Sequence, residues 1–269
     1  MTTPHDAPPQ RTLWMHDLSA RADACGPVLE ALLPQGAHVC VVHATGDFPA
    51  GVGPVAEEAR STLAPRVASL AASGLSAELR IVKGRPTEAA KQLGADLIIA
   101  GATGVSGLDR VLVGSEAARL LRGATVPVLV VGKPFDQLRH IVCPVSPDEP
   151  DLAAVRQAAR LAVVHQAQLD LVAVEPAGSG REDLPSAIEA VRQALHQADD
   201  LVSALPGHTV RAVLGESVLH GILIASRGAD LIVIGSHGRT GFSRWLFGST
   251  AEDLVREGHR SVLVVPPNT

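Results

Sequence analysis

Tyrosine is absent from this chain, and all aromatic residues together make up only 2 % of it. That scarcity argues against a nucleic-acid platform, because single-strand binders stack bases on aromatic rings. A basic face is missing as well. The formal net charge is −5, and nucleic-acid binders ordinarily carry a Lys/Arg stripe. Cysteine is limited to Cys25, Cys40 and Cys143, an odd number with no CxxC pair. Cys40 and Cys143 lie within apolar runs, where a reduced thiol acts as a small hydrophobe, so a reducing cytoplasm is the expected compartment. No apolar stretch reaches membrane-spanning length. The first ten residues, MTTPHDAPPQ, have neither the basic nor the apolar segment of a secretory signal, and their prolines suggest a frayed tail.

What is present is said twice. Gly94 to Val131 aligns without a gap on Gly228 to Val265, with Gly101 falling on Gly235, an offset of 134 residues. About half of the aligned positions are identical, far above chance for unrelated segments. Upstream, Arg80-Ile-Val-Lys-Gly84 parallels Arg211-Ala-Val-Leu-Gly215, and Arg11 opens a strand-like segment that Arg139 opens again. The expected domains are residues 1–134, with 1–10 as the tail, and 135–269, joined near Gly132 to Gln137.

In the first copy TLWMHD, HVCVVHA, AELRIV, DLIIAG and PVLVV read as short buried strands. Helical patterns lie between them: RADACGPVLEALL, VAEEARSTLAPRVASLAAS (with Pro65 as a potential kink), TEAAKQL and SEAARLLRG. The second copy repeats the strands as HIVCPV, LDLVAV, TVRAVL, DLIVIG and SVLVV. Strand–helix alternation predicts an α/β protein with a doubly wound parallel sheet in each domain, covered by helices on both faces. Ligands of such sheets bind beyond the carboxyl ends of the strands, at the switch point.

The stretch GATGVSG, residues 101–107, is superficially a dinucleotide fingerprint. That fingerprint belongs on the first strand, with an acidic residue ending the next strand about 20 residues on. Here it follows the fourth strand, no such acidic residue exists, and the second copy reads GSHG. The dehydrogenases that carry it also need a tyrosine. A dinucleotide oxidoreductase is therefore excluded.

Both copies retain Gly-x-x-Gly, nine residues, then Gly-Ser: Gly101, Gly104, Gly114-Ser115 and Gly235, Gly238, Gly248-Ser249. In this pattern the chain resembles the universal stress protein family in its tandem form, and the motif is similar to the signature of the ATP-binding branch. The resemblance implies a five-stranded parallel sheet per domain in the order 3-2-1-4-5. It also implies an adenine-nucleotide ligand (ATP, ADP or AMP, with Mg²⁺ as the companion ion) and an Asp contact to adenosine, which falls on Asp17. Physically, the glycines leave backbone N–H groups open to phosphate oxygens, and Gly-Ser brings a helix N-terminus to them.

The expected binding residues are Asp17, Gly101, Thr103, Gly104, Gly114 and Ser115 in the first copy. In the second they are Gly235, His237, Gly238, Arg244, Gly248, Ser249 and Thr250. Several have a plainer alternative: glycines after a strand simply turn the chain, Arg110 and Arg244 are solvated surface residues, His237 is an exposed loop histidine with no partner, and Ser249 with Glu252 forms a capping box. Ser146 stands where the second copy should carry the counterpart of Asp17, and Asp148 cannot be assumed to replace it. Glu116 faces the phosphate end of the first site, where the second has Thr250. The first site is thus expected to favour AMP or ADP, and the second, with a cradle free of acidic residues, ATP.

No catalytic residue and no metal site can be named; His16 and His43 lack a third ligand at recognisable spacing. The expected function is a nucleotide-binding stress-response or signalling module. A slow ATPase and a nucleotide-independent interaction module are the alternatives. The resemblance further implies that the apolar last strands pair the two halves as a pseudo-dimer, with a homodimer of whole chains as the expected assembly and no membrane or nucleic-acid partner.

Overall fold

The computed structural model describes residues 9–49, 53–102, 115–178, 183–198, 204–236, 249–257 and 260–267, without the side chains of 115–117, 198 and 249. The chain divides into two compact units, Met1–Gln137 and Leu138–Thr269.

In the first unit the elements run β1 (Arg11–Met15), α1 (Ala20–Asp23), α2 (Cys25–Leu32), β2 (His38–Ala44), α3 (Pro54–Ala72), β3 (Ser76–Val82), α4 (Pro86–Leu93), β4 (Leu97–Gly101), α5 (Ser115–Gly123) and β5 (Val128–Val131). All strand pairs are parallel, in the order β3-β2-β1-β4-β5. The second unit runs β6 (His140–Pro144), α6 (Leu152–His165), β7 (Gln168–Pro176), α7 (Leu184–Ala198), β8 (His208–Gly215), α8 (Val218–Ala225), β9 (Leu231–Gly235), α9 (Ser249–Glu257) and β10 (Ser261–Val265). Its order is β8-β7-β6-β9-β10, again parallel throughout.

The order reverses after the third strand of each unit, so right-handed crossovers place the helices on opposite faces before and after it. Accordingly α2 packs with α3 and α4 with α5; in the second unit α6 packs with α7 and α8 with α9. The central strands carry the core: Leu13, Trp14, Val41 and Ile99 are fully buried in the first unit, Ile141, Leu171 and Val233 in the second. Cys25, Cys40 and Cys143 are free thiols, all buried.

Two helical expectations are revised. The segment from Arg21 to Leu33 holds two helices separated at Ala24, because Ser19 caps the short α1 (Ala22 N–H to Ser19 Oγ, 3.2 Å) and Pro27 lies in the first turn of α2. Conversely, α3 is continuous through Pro65.

The strand register shifts the correspondence of the two copies by one residue. Thr12 pairs with Leu97 and Ile141 with Leu231, so Arg11 corresponds to His140 instead of Arg139. An aspartate fixes this register in each unit. The Asp96 carboxylate accepts the N–H groups of Gln10 (3.0 Å) and Arg11 (2.9 Å). Asp230 accepts those of Arg139 (2.8 Å) and His140 (2.9 Å). The pairing of like arginines was a coincidence of sequence; backbone donors decide the alignment.

The same register shows a charge that has changed strands. In the second unit Asp170 of β7 is buried and accepts from Thr209 Oγ1 (2.7 Å), Gln168 Nε2 (3.1 Å) and Arg211 Nη2 (3.1 Å), with His140 Nε2 at 3.1 Å. In the first unit its counterpart is Cys40, and the carboxylate sits one strand over on Glu78, paired with Arg80 at 3.0 Å. Burial, with Glu78 beside it, pushes the Cys40 thiol up to about 11.

Burial opposes ionisation of Asp170, yet the bonds from Thr209, His140 and Gln168 outweigh it and hold its carboxyl below the usual range. Stability from this group is therefore present above about pH 3.9 and is lost as pH falls through the depressed value. Asp170→Ala should cost about 2–3 kcal/mol at pH 7 by leaving the Thr209 hydroxyl without its acceptor and Arg211, which keeps its bond to the Ala225 carbonyl (2.7 Å), without its counter-charge. Urea unfolding of the full chain at pH 7 and pH 3 checks this: the gap between wild type and variant should narrow in acid.

Candidate functional site

The switch point of each sheet lies between its first and fourth strands, β1/β4 and β6/β9, and its carboxyl edge is the crevice to consider. In the first unit that edge is formed by Met15 to Ser19 and by Gly101-Ala102.

The turn after β1 is held by its own side chains. Leu18 adopts φ 66, a left-handed conformation costly for a non-glycine residue. Its N–H donates to His16 Nδ1 (3.0 Å), and the next N–H, of Ser19, donates to Asp17 Oδ1 (3.1 Å), which also accepts from Ser19 Oγ. With Nδ1 accepting, the proton resides on His16 Nε2, which donates to Asp23 Oδ1 (3.0 Å). Asp23 is in turn gripped by Arg66 of α3 through two bonds of 2.8 and 2.9 Å. His43 Nδ1 donates to the His16 carbonyl (2.8 Å), so both histidines serve the turn. Asp17 is exposed at its tip.

The first glycine of each motif performs a packing role. A Cβ on Gly101 would stand 2.5 Å from the carbonyl oxygen of Arg21 and 2.9 Å from the N atom of Ala22, in the backbone of α1. A Cβ on Gly235 would overlap the carboxylate of Asp151, the residue capping α6. The N–H groups that follow are also committed: Ala102 donates to Val131 (2.9 Å) and Ser236 to Val265 (2.8 Å). Donors for a ligand must therefore begin one residue later in each loop.

Of the expected ligand residues, Thr103, Gly104, Gly114, His237, Gly238, Arg244 and Gly248 lie outside the described residues, as do the side chains of Ser115, Glu116 and Ser249. The structure does place helix starts at Ser115 and Ser249, so each Gly-Ser leads directly into α5 or α9. Thr250 is half-buried in the first turn of α9, and Glu252 accepts from Arg256 (3.0 Å).

The register confirms Ser146 at the position of Asp17. In the second unit the Asp151 carboxylate lies against Gly235. Asp151 was not among the residues expected there. The connection after β6 runs to residue 151, longer than the one after β1, and its length hides which residue returns to the sheet.

The chain belongs to the universal stress protein family, whose model matches residues 17–132 and again 137–266, one copy in each unit. It is 43 % identical over 65 residues to universal stress protein MJ0531 of Methanocaldococcus jannaschii, covering 23 % of this chain and 38 % of that one. It is 29 % identical over 189 residues to a universal stress protein of Mycolicibacterium smegmatis, covering 64 % of this chain and 62 % of the relative. The chain thus spans less than two thirds of either relative's length. A universal stress protein from Archaeoglobus fulgidus superposes with a TM-score of 0.70 at 20 % identity, covering 96 % of this chain and 98 % of that one. Among the described residues no helix is long and apolar enough to cross a membrane, and no three His, Cys, Asp or Glu side chains gather as a metal site.

Two outcomes follow from the turn and the glycines. Burial holds His16 below its ordinary value, against the pull of Asp23 and Asp17 and together with Arg66. The unfolded chain then takes up a proton near pH 6.5 that the folded one refuses, so this contribution is complete above about pH 6.5 and declines below it. His16→Phe should lose about 1–3 kcal/mol at pH 7.5 and flatten the decline between pH 6.5 and 5, as read by urea unfolding at each pH. Separately, Gly101→Ala should destabilise by about 1–3 kcal/mol, because helix backbone must move. Gly235→Ala should cost less, because only the Asp151 side chain must yield; thermal unfolding of the two variants ranks them.

Proposed function

We propose that each unit binds an adenine nucleotide at the carboxyl edge of its sheet, and that the chain acts as a stress-response or signalling module without strong catalytic turnover. The observation that carries this reading is the doubled Gly-x-x-Gly-x₉-Gly-Ser pattern, each copy leaving the fourth strand at the switch point and entering a helix at its serine. A loop rich in glycine between a strand end and a helix start supplies free N–H groups and the positive end of a helix dipole, which suits phosphate.

In the first unit Thr103, Gly104, Gly114 and Ser115 would take the phosphates. Asp17, on a turn fixed by His16 and Asp23, would accept a hydrogen bond from the adenosine portion. Gly101 closes the packing beneath them. In the second unit His237, Gly238, Arg244, Gly248, Ser249 and Thr250 would form the phosphate side, with Gly235 beneath. Mg²⁺ would enter as the companion of the phosphates, neutralising charge that the loops do not. Membership of the family and the matching fold support this reading, and the absent tyrosine and misplaced fingerprint keep it apart from dinucleotide chemistry.

The full-length protein should bind ATP with Mg²⁺ in the micromolar range, about −8 kcal/mol, and show no affinity for NADPH. Gly238→Val should remove one equivalent of nucleotide with little loss of fold, since the branched side chain would occupy the phosphate space. Isothermal titration of both proteins tests it. NADPH binding with a silent ATP titration, or unchanged stoichiometry in the folded variant, would contradict the proposal.

A further inference from the structure

The two nitrogens of the His16 ring hold two different parts of the first unit. Nδ1 accepts the Leu18 N–H (3.0 Å), and Nε2 donates to Asp23 Oδ1 (3.0 Å). The Asp23 side is anchored: Asp23 lies in α1, and Arg66 of α3 grips its carboxylate through two bonds. The backbone of His16 is anchored as well, its N–H on the Val42 carbonyl (2.9 Å) and its carbonyl on His43 Nδ1 (2.8 Å). Beyond the turn, Ser19 is committed to capping α1 through the Ala22 N–H. Between these anchors stand Asp17 and Leu18. Leu18 is held at φ 66, a conformation that a residue with a side chain keeps only under constraint.

We propose that His16 is a proton-operated latch on this turn: the neutral ring closes on the Leu18 N–H, and the imidazolium releases it, so that Asp17 is presented differently in acid. The reasoning rests on donors and acceptors. With Nε2 already carrying a hydrogen, a second proton enters at Nδ1, where it faces the Leu18 N–H, donor against donor. One hydrogen bond gives way to a repulsion, while the bond from Nε2–H to the Asp23 carboxylate becomes charge-assisted and tightens. The ring therefore stays and the turn yields, with Leu18 relaxing from its left-handed conformation.

The surroundings decide where this happens. Burial, foremost, and Arg66 oppose the charge; Asp23 and Asp17 favour it, and the Trp14 ring lies 4.9 Å from the imidazole. The balance holds His16 below its ordinary value, so the latch opens in acid, below about pH 6.5. Cys25 of α2 lies against Trp14, but burial pushes its thiol up and keeps it neutral. His43 of β2 keeps Nδ1 as a donor to the His16 carbonyl in either of its own charge states. The second unit lacks the device. Its strand register puts Val145 at the place of His16, with the Val145 N–H on the Val172 carbonyl (2.9 Å).

Amide hydrogen exchange followed by NMR on the full-length protein, from pH 7.5 to 5, reads the latch directly. As the His16 imidazole titrates, the protection factor of the Leu18 amide should fall about tenfold, while the His16 amide keeps its protection in the sheet. In His16→Asn the side-chain oxygen can accept the N–H two residues on and does not titrate, so Leu18 should stay protected throughout. Unchanged Leu18 protection across the titration of His16 overturns the proposal, as does an imidazole that takes up no proton in the folded protein over this range. Equal losses at the Leu18 and His16 amides report unfolding of the unit and overturn it too. A loss at Leu18 of the same size in His16→Asn does so as well, since another group then drives it. Where His16→Asn fails to fold, the wild-type amides decide, because latch opening and unfolding differ at the His16 amide.

Discussion

Close approach at the end of the fourth strand is the constraint on which each unit depends. A doubly wound sheet opens its crevice where the strand order reverses, and the helix after the first strand must return over that point. At Gly101 it does so with backbone against backbone, and at Gly235 with an aspartate against the strand. No side chain is compatible with the first arrangement, and only a displaced Asp151 with the second. The glycine that begins each copy of the doubled motif is thus first a structural requirement.

The two halves have kept this frame while trading residues within it. The clamp on the first strand is the same carboxylate in both, Asp96 and Asp230, taking two backbone N–H groups. The carboxylate is half-exposed on Glu78 of the third strand in one unit and buried on Asp170 of the second strand in the other, while the arginine partners Arg80 and Arg211 occupy equivalent places on the third strand. The turn after the first strand has diverged furthest. His16, Asp23 and Arg66 brace a strained Leu18 in the first unit. The longer connection in the second ends on Asp151.

Much of this was legible in the residues. The apolar runs of β-branched residues located the ten strands among the described residues, two of them, His38–Ala44 and Ser261–Val265, to the residue. The repeat divided the chain, and the family's strand order was correct. What escaped was set by contacts distant in sequence. Nothing local distinguishes Arg11 opposite Arg139 from Arg11 opposite His140; the Asp96 and Asp230 clamps decide it across more than 80 residues. The break at Ala24 depends on Ser19 capping a helix too short to announce itself by periodicity. Asp151 caps α6, and only the folded chain brings it to Gly235.

The central claim is that both crevices are built for adenine nucleotides, and the most direct measurement is the identity of whatever accompanies the native protein. Full-length protein purified without added nucleotide, then denatured and analysed by mass spectrometry, should release ATP, ADP or AMP. Release of a nicotinamide dinucleotide in place of any adenine mononucleotide would contradict the account.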